Sequence, residues 1–146
     1  MTEIQSLYQE LILDHGRRPR NFKALPDATR RTLGHNPLCG DELMLHLKLK
    51  NNRIAGLSFE GHGCAISMAS ASLMTEALIG KTSEEAMEFF RAVHAMLMGK
   101  KTEFPLGKLE ALAGVGEFPA RVKCAALAWR TLEAALNNDQ EEVSTE

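Results

Sequence analysis

The sequence predicts an α+β fold: an N-terminal helix, a small three-stranded antiparallel sheet, then several helices packed on one face. Three observations carry this. Apolar residues recur at helical spacing over residues 3–15. They alternate strictly with other residues from Leu43 to Lys50. From residue 65 onward, small and helix-compatible residues are punctuated by glycines and capping signals.

Thr2 and Gln5 form a capping box. Ile4, Leu7, Tyr8, Leu11 and Ile12 then follow one helical face, so residues 3–15 read as the first helix. Gly16 ends it and Pro19 opposes continuation. Residues 17–30 read as a loop. A strand signal begins near Arg30 and stops at "HNP". It resumes after Asp41, where Leu43, Leu45, Leu47 and Leu49 alternate with Met44, His46, Lys48 and Lys50. One face of that strand is therefore buried. Asn51-Asn52 predicts a hairpin turn, and Arg53–Glu60 predicts the returning strand.

"GHGC", residues 61–64, breaks the pattern. Residues 65–79 read as a helix stopped by Gly80. Thr82 and Glu85 form a second capping box that opens a helix to about Met98. Residues 99–117 hold Gly99, Pro105, Gly107, Gly114 and Gly116 and predict a loop, with at most a short helix around 106–112. Pro119 suits the first turn of a last helix, about 119–137.

A length of 146 residues suggests one domain spanning 1–146, with "NNDQEEVSTE" implying a flexible acidic tail from about 138. Hydrophobic residues at 45% and charged residues at 25% fit an ordinary globular chain. A formal net charge of −2 opposes general nucleic-acid binding. Arg17, Arg18, Arg20, Lys23, Arg30 and Arg31 form a local basic stretch, read either as a solvated loop or as a partner-docking surface. No aromatic ladder for stacking bases accompanies it. No apolar run is long enough for a membrane span, and Met1–Gln9 lacks the pattern of a signal peptide. A cytoplasmic location follows as the expectation. There, three cysteines do not serve as structural disulfides.

Those cysteines are Cys39, Cys64 and Cys124, and no two form a C-x-x-C pair. Their settings are more telling than their spacing. Cys39 lies in a proline- and glycine-containing connection. Cys64 follows Gly61 and Gly63 at a predicted helix N-terminus. Cys124 sits in the second turn of the last predicted helix. Helix N-termini favour thiolate over thiol. Three readings stay open on the residues alone: packed core thiols, a metal site, or a catalytic Cys/His pair. For a metal site, three thiolates need a fourth ligand to close a tetrahedron. Asp41 is nearest in sequence and projects with Cys39 if residues 39–41 are extended. His62 is the rival, two residues before Cys64, and His35 is more remote. His46 and His94 fall on a strand and mid-helix, and read as structural or exposed.

"DHGRRPRNF", "NPLCGD", "GHGCAISMASASLMTE" and "RVKCAALAW" resemble, in this order, motifs of the IscU/NifU-type iron–sulfur scaffold proteins. The resemblance runs from about Ile4 to Leu136 and is nearest to the SufU branch. In the housekeeping IscU pattern a histidine precedes the third cysteine; here it is Lys123. That pattern also carries a Pro-Pro-Val-Lys chaperone motif, where this chain has Phe118-Pro119-Ala120-Arg121. Extra residues around Gly99–Glu117 match an insertion of SufU-type proteins. The resemblance implies a SufE/NifU-like fold and a zinc site of Cys39, Asp41, Cys64 and Cys124; three thiolates and a carboxylate exceed the charge of zinc, and helix N-termini, Arg121 and Lys123 can moderate that excess. It implies a sulfurtransferase that accepts persulfide sulfur on Cys39 from a SufS-like cysteine desulfurase, for downstream iron–sulfur assembly proteins. The alternative it carries is a scaffold for a transient [2Fe-2S] cluster on the same residues.

Overall fold

A computed structural model describes residues 2–137 and 142–144. Helix α1 spans Glu3–Arg17, capped by the Thr2/Gln5 box. Strands β1 (Arg30–Asn36), β2 (Asp41–Lys50) and β3 (Arg53–His62) form an antiparallel meander. Helices α2 (Ala65–Leu78) and α3 (Ser83–Leu97) follow, the second opened by the Thr82/Glu85 box. A 3-10 helix at Gly107–Glu117 leads into α4, Pro119–Asn137. Strand β4, Glu142–Ser144, adds to the outer side of β1, in parallel. The sheet order is thus β3-β2-β1-β4.

The meander is the one the alternation predicts. Asn51 and Asn52 both take positive φ, +52° and +62°, which gives the hairpin a turn whose twist matches its strands. Three boundaries differ, the first being that of α1, which runs through Gly16 to Arg17 instead of ending at the glycine. Strand β3 runs on through Gly61 to His62, because Leu43 and Glu42 continue the ladder opposite them. Residues 107–117 are 3-10 helical rather than mostly loop: Leu109, Leu112 and Val115 are buried and pull that segment onto the core despite its glycines. The acidic tail expected from residue 138 falls partly on β4. The rest of it, 138–141 and 145–146, lies outside the described residues.

Leu43, Leu45, Leu47, Leu57 and Phe59 point from one sheet face into the core, against Met74 of α2 and Leu127 and Leu132 of α4. Arg30 fixes the direction of α4. Its Nη1 donates to the carbonyls of Ala135 and Leu136, both at 2.7 Å, which satisfies the helix C-terminus with a cation. With the C-terminal end of α4 held at the start of β1, its N-terminal end falls beside the end of β1, where the β1–β2 connection begins. Cys39 and Cys124, 85 residues apart, meet for that reason.

A polar lock places α2. The His15 side chain is 1% exposed, and its Nδ1 lies 2.7 Å from Ser72 Oγ. The same Oγ accepts from the Arg20 backbone N–H at 2.8 Å. The other ring nitrogen, Nε2, faces Glu76 Oε1 at 3.5 Å, an acceptor that favours carrying the proton on Nε2. Asn21 donates to Thr75 Oγ1, and the Phe22 ring meets Phe59 edge-on. No helix among the described residues is long and apolar enough to cross a membrane.

Candidate metal centre

Three chain segments converge at one edge of the sheet. The first is the connection Pro37–Gly40. Asn36 holds it: the Asn36 carbonyl accepts from the backbone N–H of Cys39 (3.2 Å) and Gly40 (2.9 Å), and Asn36 Oδ1 accepts from Leu38 N–H (3.3 Å). Gly40 turns the chain at φ +73°, a region costly to a side chain. This presents Cys39 to solvent and returns Asp41, 1% exposed, to the buried side of the pair.

The second segment is the N-terminus of α2. Cys64 is its N-cap, and its Sγ accepts from Ser67 N–H at 3.4 Å. The Cys64 backbone N–H donates to Asp41 Oδ1 at 2.9 Å, while Cys64 Sγ lies 3.9 Å from Asp41 Oδ2. A Cβ at Gly63 would come within 2.6 Å of Asp41 Oδ1, so glycine there is what lets the carboxylate reach the helix start. The third segment is the second turn of α4, which carries the fully buried Cys124. Its Sγ is 3.5 Å from Cys39 Sγ.

Ligand atoms of Cys39, Asp41 and Cys124 all lie within 4.8 Å of one another. Tetrahedral zinc with thiolate bonds of about 2.3 Å sets its ligands roughly 3.8 Å apart. The spacing therefore fits a divalent cation held by two sulfurs and a carboxylate oxygen, with Cys64 at the edge of the group. Sulfur and oxygen donors together suit zinc or an iron–sulfur cluster and disfavour magnesium or calcium.

The environment of Cys124 departs from the sequence reading. Its helix position suggests easy ionisation. Burial instead pushes its thiol well above the ordinary range, and the neighbouring Asp41 and Cys39 add to that. A bound cation inverts the balance by favouring thiolate, so metal uptake must release protons. Arg121, exposed in the first turn of α4, lies close enough to Cys124, Cys64 and Cys39 for them to hold its guanidinium more firmly protonated. Lys123 does not share that position. It lines a cleft of about 500 Å³ with His94, Leu97, Met98, Val122 and Arg130.

The rival histidines are not brought in. His62 and His35 both pair with Glu42, which puts them on the sheet face opposite Asp41. Sequence reasoning missed Asn36. The Asn-Pro step marked a turn, but only the β1–β2 register shows that Asn36 is buried opposite Asp41.

Comparison with known proteins agrees with the fold and with the motifs. Residues 7–144 match the family model of the NifU-like N terminal domain. The zinc-dependent sulfurtransferase SufU of Bacillus subtilis is 42% identical over 139 residues, 94% of each chain. The iron–sulfur cluster assembly scaffold protein IscU of Streptococcus pyogenes is 38% identical over 138 residues, covering 93% of this chain and 86% of its own. Among solved structures, a SUF-system scaffold protein from Fervidobacterium islandicum superposes with a TM-score of 0.84 at 38% identity, over 90% of this chain and 98% of that one. The chain belongs to the NifU-like N-terminal domain family of iron–sulfur cluster assembly proteins.

Proposed function

We propose that this chain is a zinc-dependent sulfurtransferase that accepts persulfide sulfur from a cysteine desulfurase, on Cys39, and passes it toward iron–sulfur cluster assembly. The observation that carries this reading is an asymmetry within one cluster. Cys39 is exposed on a turn, while Asp41 and Cys124 are buried within 4.8 Å of it. One sulfur can meet a partner while the others stay anchored. The reading takes further support from the Bacillus subtilis relative, a zinc-dependent sulfurtransferase.

In this reading Cys39, Asp41, Cys64 and Cys124 hold zinc. Zinc supplies charge that keeps thiols ionised, with no redox change of its own. The Cys39 thiolate attacks the outer sulfur of the donor persulfide. A new S–S bond forms on Cys39, the donor S–S bond breaks, and its electron pair leaves on the donor thiolate. No net oxidation occurs. Asp41 and Cys124 keep the site in place while Cys39 moves, and Arg121 offsets excess negative charge. We place this chemistry in the cytosol, where thiols stay reduced.

The test is persulfide formation in Cys39→Ser, read as a mass shift after incubation with desulfurase and cysteine, with metal measured on the same sample. Loss of the shift with zinc retained supports the assignment. A full-yield persulfide on Cys64 or Cys124 would sink it.

The second reading, a scaffold for a transient [2Fe-2S] cluster, is favoured by the IscU relatives. Metal content of protein purified without added metal separates the two: about one zinc per chain for the first, brown protein with iron and sulfide for the second.

A further inference from the structure

Three buried side-chain polar atoms among the described residues have no hydrogen-bond partner: Asn36 Nδ2, Ser58 Oγ and Ser67 Oγ. Two belong to residues that hold the cysteine-bearing segments. Ser67 bonds Cys64 through its backbone, and Asn36 closes the turn of Cys39. A serine hydroxyl can rotate to find an acceptor. The Asn36 amide cannot, because Leu38 N–H engages its Oδ1. Flipping the amide would set donor against donor. The direction of Nδ2 is therefore fixed, and Asn36 is wholly buried.

Buried polar groups almost always find partners. Asn36 is paired directly with Asp41 across β1 and β2, on the same side, with Cys39 on the turn between them. As thiols, Cys39 and Cys124 are weak acceptors. As thiolates bound to a cation they are strong ones, and such donors tune and orient the ligands of metal centres.

We propose that Asn36 is a positioning residue of the metal centre: its Oδ1 fixes the Cys39 turn, and its Nδ2–H donates to an anionic ligand atom of the loaded site. This rests on the reading that the Cys39/Asp41/Cys124 group holds a cation. The single side chain then couples two tasks. It shapes the loop that exposes Cys39, and it favours that loop's metal-bound position through one directed hydrogen bond.

Zinc and cadmium alone are the probes. The wild-type Asn36 side-chain amide, followed by NMR during titration with ¹¹³Cd²⁺ or Zn²⁺, should shift on loading and become one of the slowest-exchanging side-chain amides. In parallel, Asn36→Leu, which removes the donor without adding charge, should weaken zinc by about 10- to 100-fold in chelator competition. Because the variant also loses the Oδ1 acceptor of the turn, its metal-free form should melt somewhat below metal-free wild type, and the deficit should be larger in the zinc-loaded form. An Asn36 amide that does not respond to loading would overturn the proposal. So would equal destabilisation of the metal-free and loaded variant with zinc affinity unchanged, the result expected if Nδ2 serves only a buried water. If Asn36→Leu does not fold, the wild-type titration decides. Failure of wild type to bind zinc or cadmium at all would instead overturn the metal-site reading, and the proposal with it.

Discussion

Two motif segments of this chain each carry an aspartate, an asparagine, a proline and a glycine, and end in opposite states. In "DHGRRPRNF" the polar groups are committed to one another. Asp14 takes Arg18 and Arg20, His15 takes Ser72, the Arg20 backbone takes the same Ser72 hydroxyl, and Asn21 takes Thr75. In "NPLCGD" the groups of greatest chemical potential are left open. Cys39 is exposed, Asp41 bonds Cys64 and lies against Cys124, and Asn36 Nδ2 has no partner. The first segment is a lock that fixes α1 against α2. The second is a site. Beyond the cysteine that only the second carries, what separates them is whether the hydrogen-bonding capacity is spent within the fold.

Substitutions that affect one segment and spare the other test this contrast. The largest expected effect is His15→Ala. It empties a buried position and removes one of the two partners of Ser72 Oγ, costing roughly 3 kcal/mol of stability by urea denaturation. Zinc affinity of the folded protein should be unchanged. Asp41→Ala should do the reverse, lowering zinc affinity by about a hundredfold or more in chelator competition while most of the fold persists. Unchanged affinity there would remove Asp41 from the ligand set. Gly63→Ala is the milder form of the same break. Its Cβ displaces the Asp41 carboxylate, and we expect about tenfold weaker zinc, with the Asp41→Ala variant insensitive to it.

Acid separates the two regions differently. Burial, and after it the nearby Arg20, lower the His15 pKa below its ordinary value near 6.5. The folded state therefore binds fewer protons than the unfolded state below that pH. The contribution of His15 to stability is complete above about 6.5 and is lost as pH falls through the lowered folded-state value. His15→Gln should flatten that part of the stability profile. Zinc affinity should also weaken with falling pH, because the Cys124 thiol regains its proton, and that dependence should survive His15→Gln. The smallest effect is expected from Arg17→Glu, since Arg17 is exposed and lies outside the Asp14 pairs. Stability and zinc should stay unchanged, and a docking role would appear only as slower, salt-sensitive association with a desulfurase. Unaltered association would leave the basic stretch as part of the lock alone.

Much of this molecule was legible before any fold was known. Local rules set the elements: two capping boxes, the period-two run from Leu43, the Asn51-Asn52 turn and Pro119 at a helix start all act within a few residues of themselves. The motifs also carried the family and nominated Cys39, Asp41, Cys64 and Cys124. Tertiary packing decided the rest. Arg30, bonded to the far end of α4, brings Cys124 to Cys39 across 85 positions. Burial reverses the ionisation that the helix position of Cys124 suggested. Strand register turns His35 and His62 away from Asp41 and sets Asn36 opposite it. Secondary structure follows from neighbours along the chain, whereas burial, register and ligand spacing depend on residues far from it in sequence.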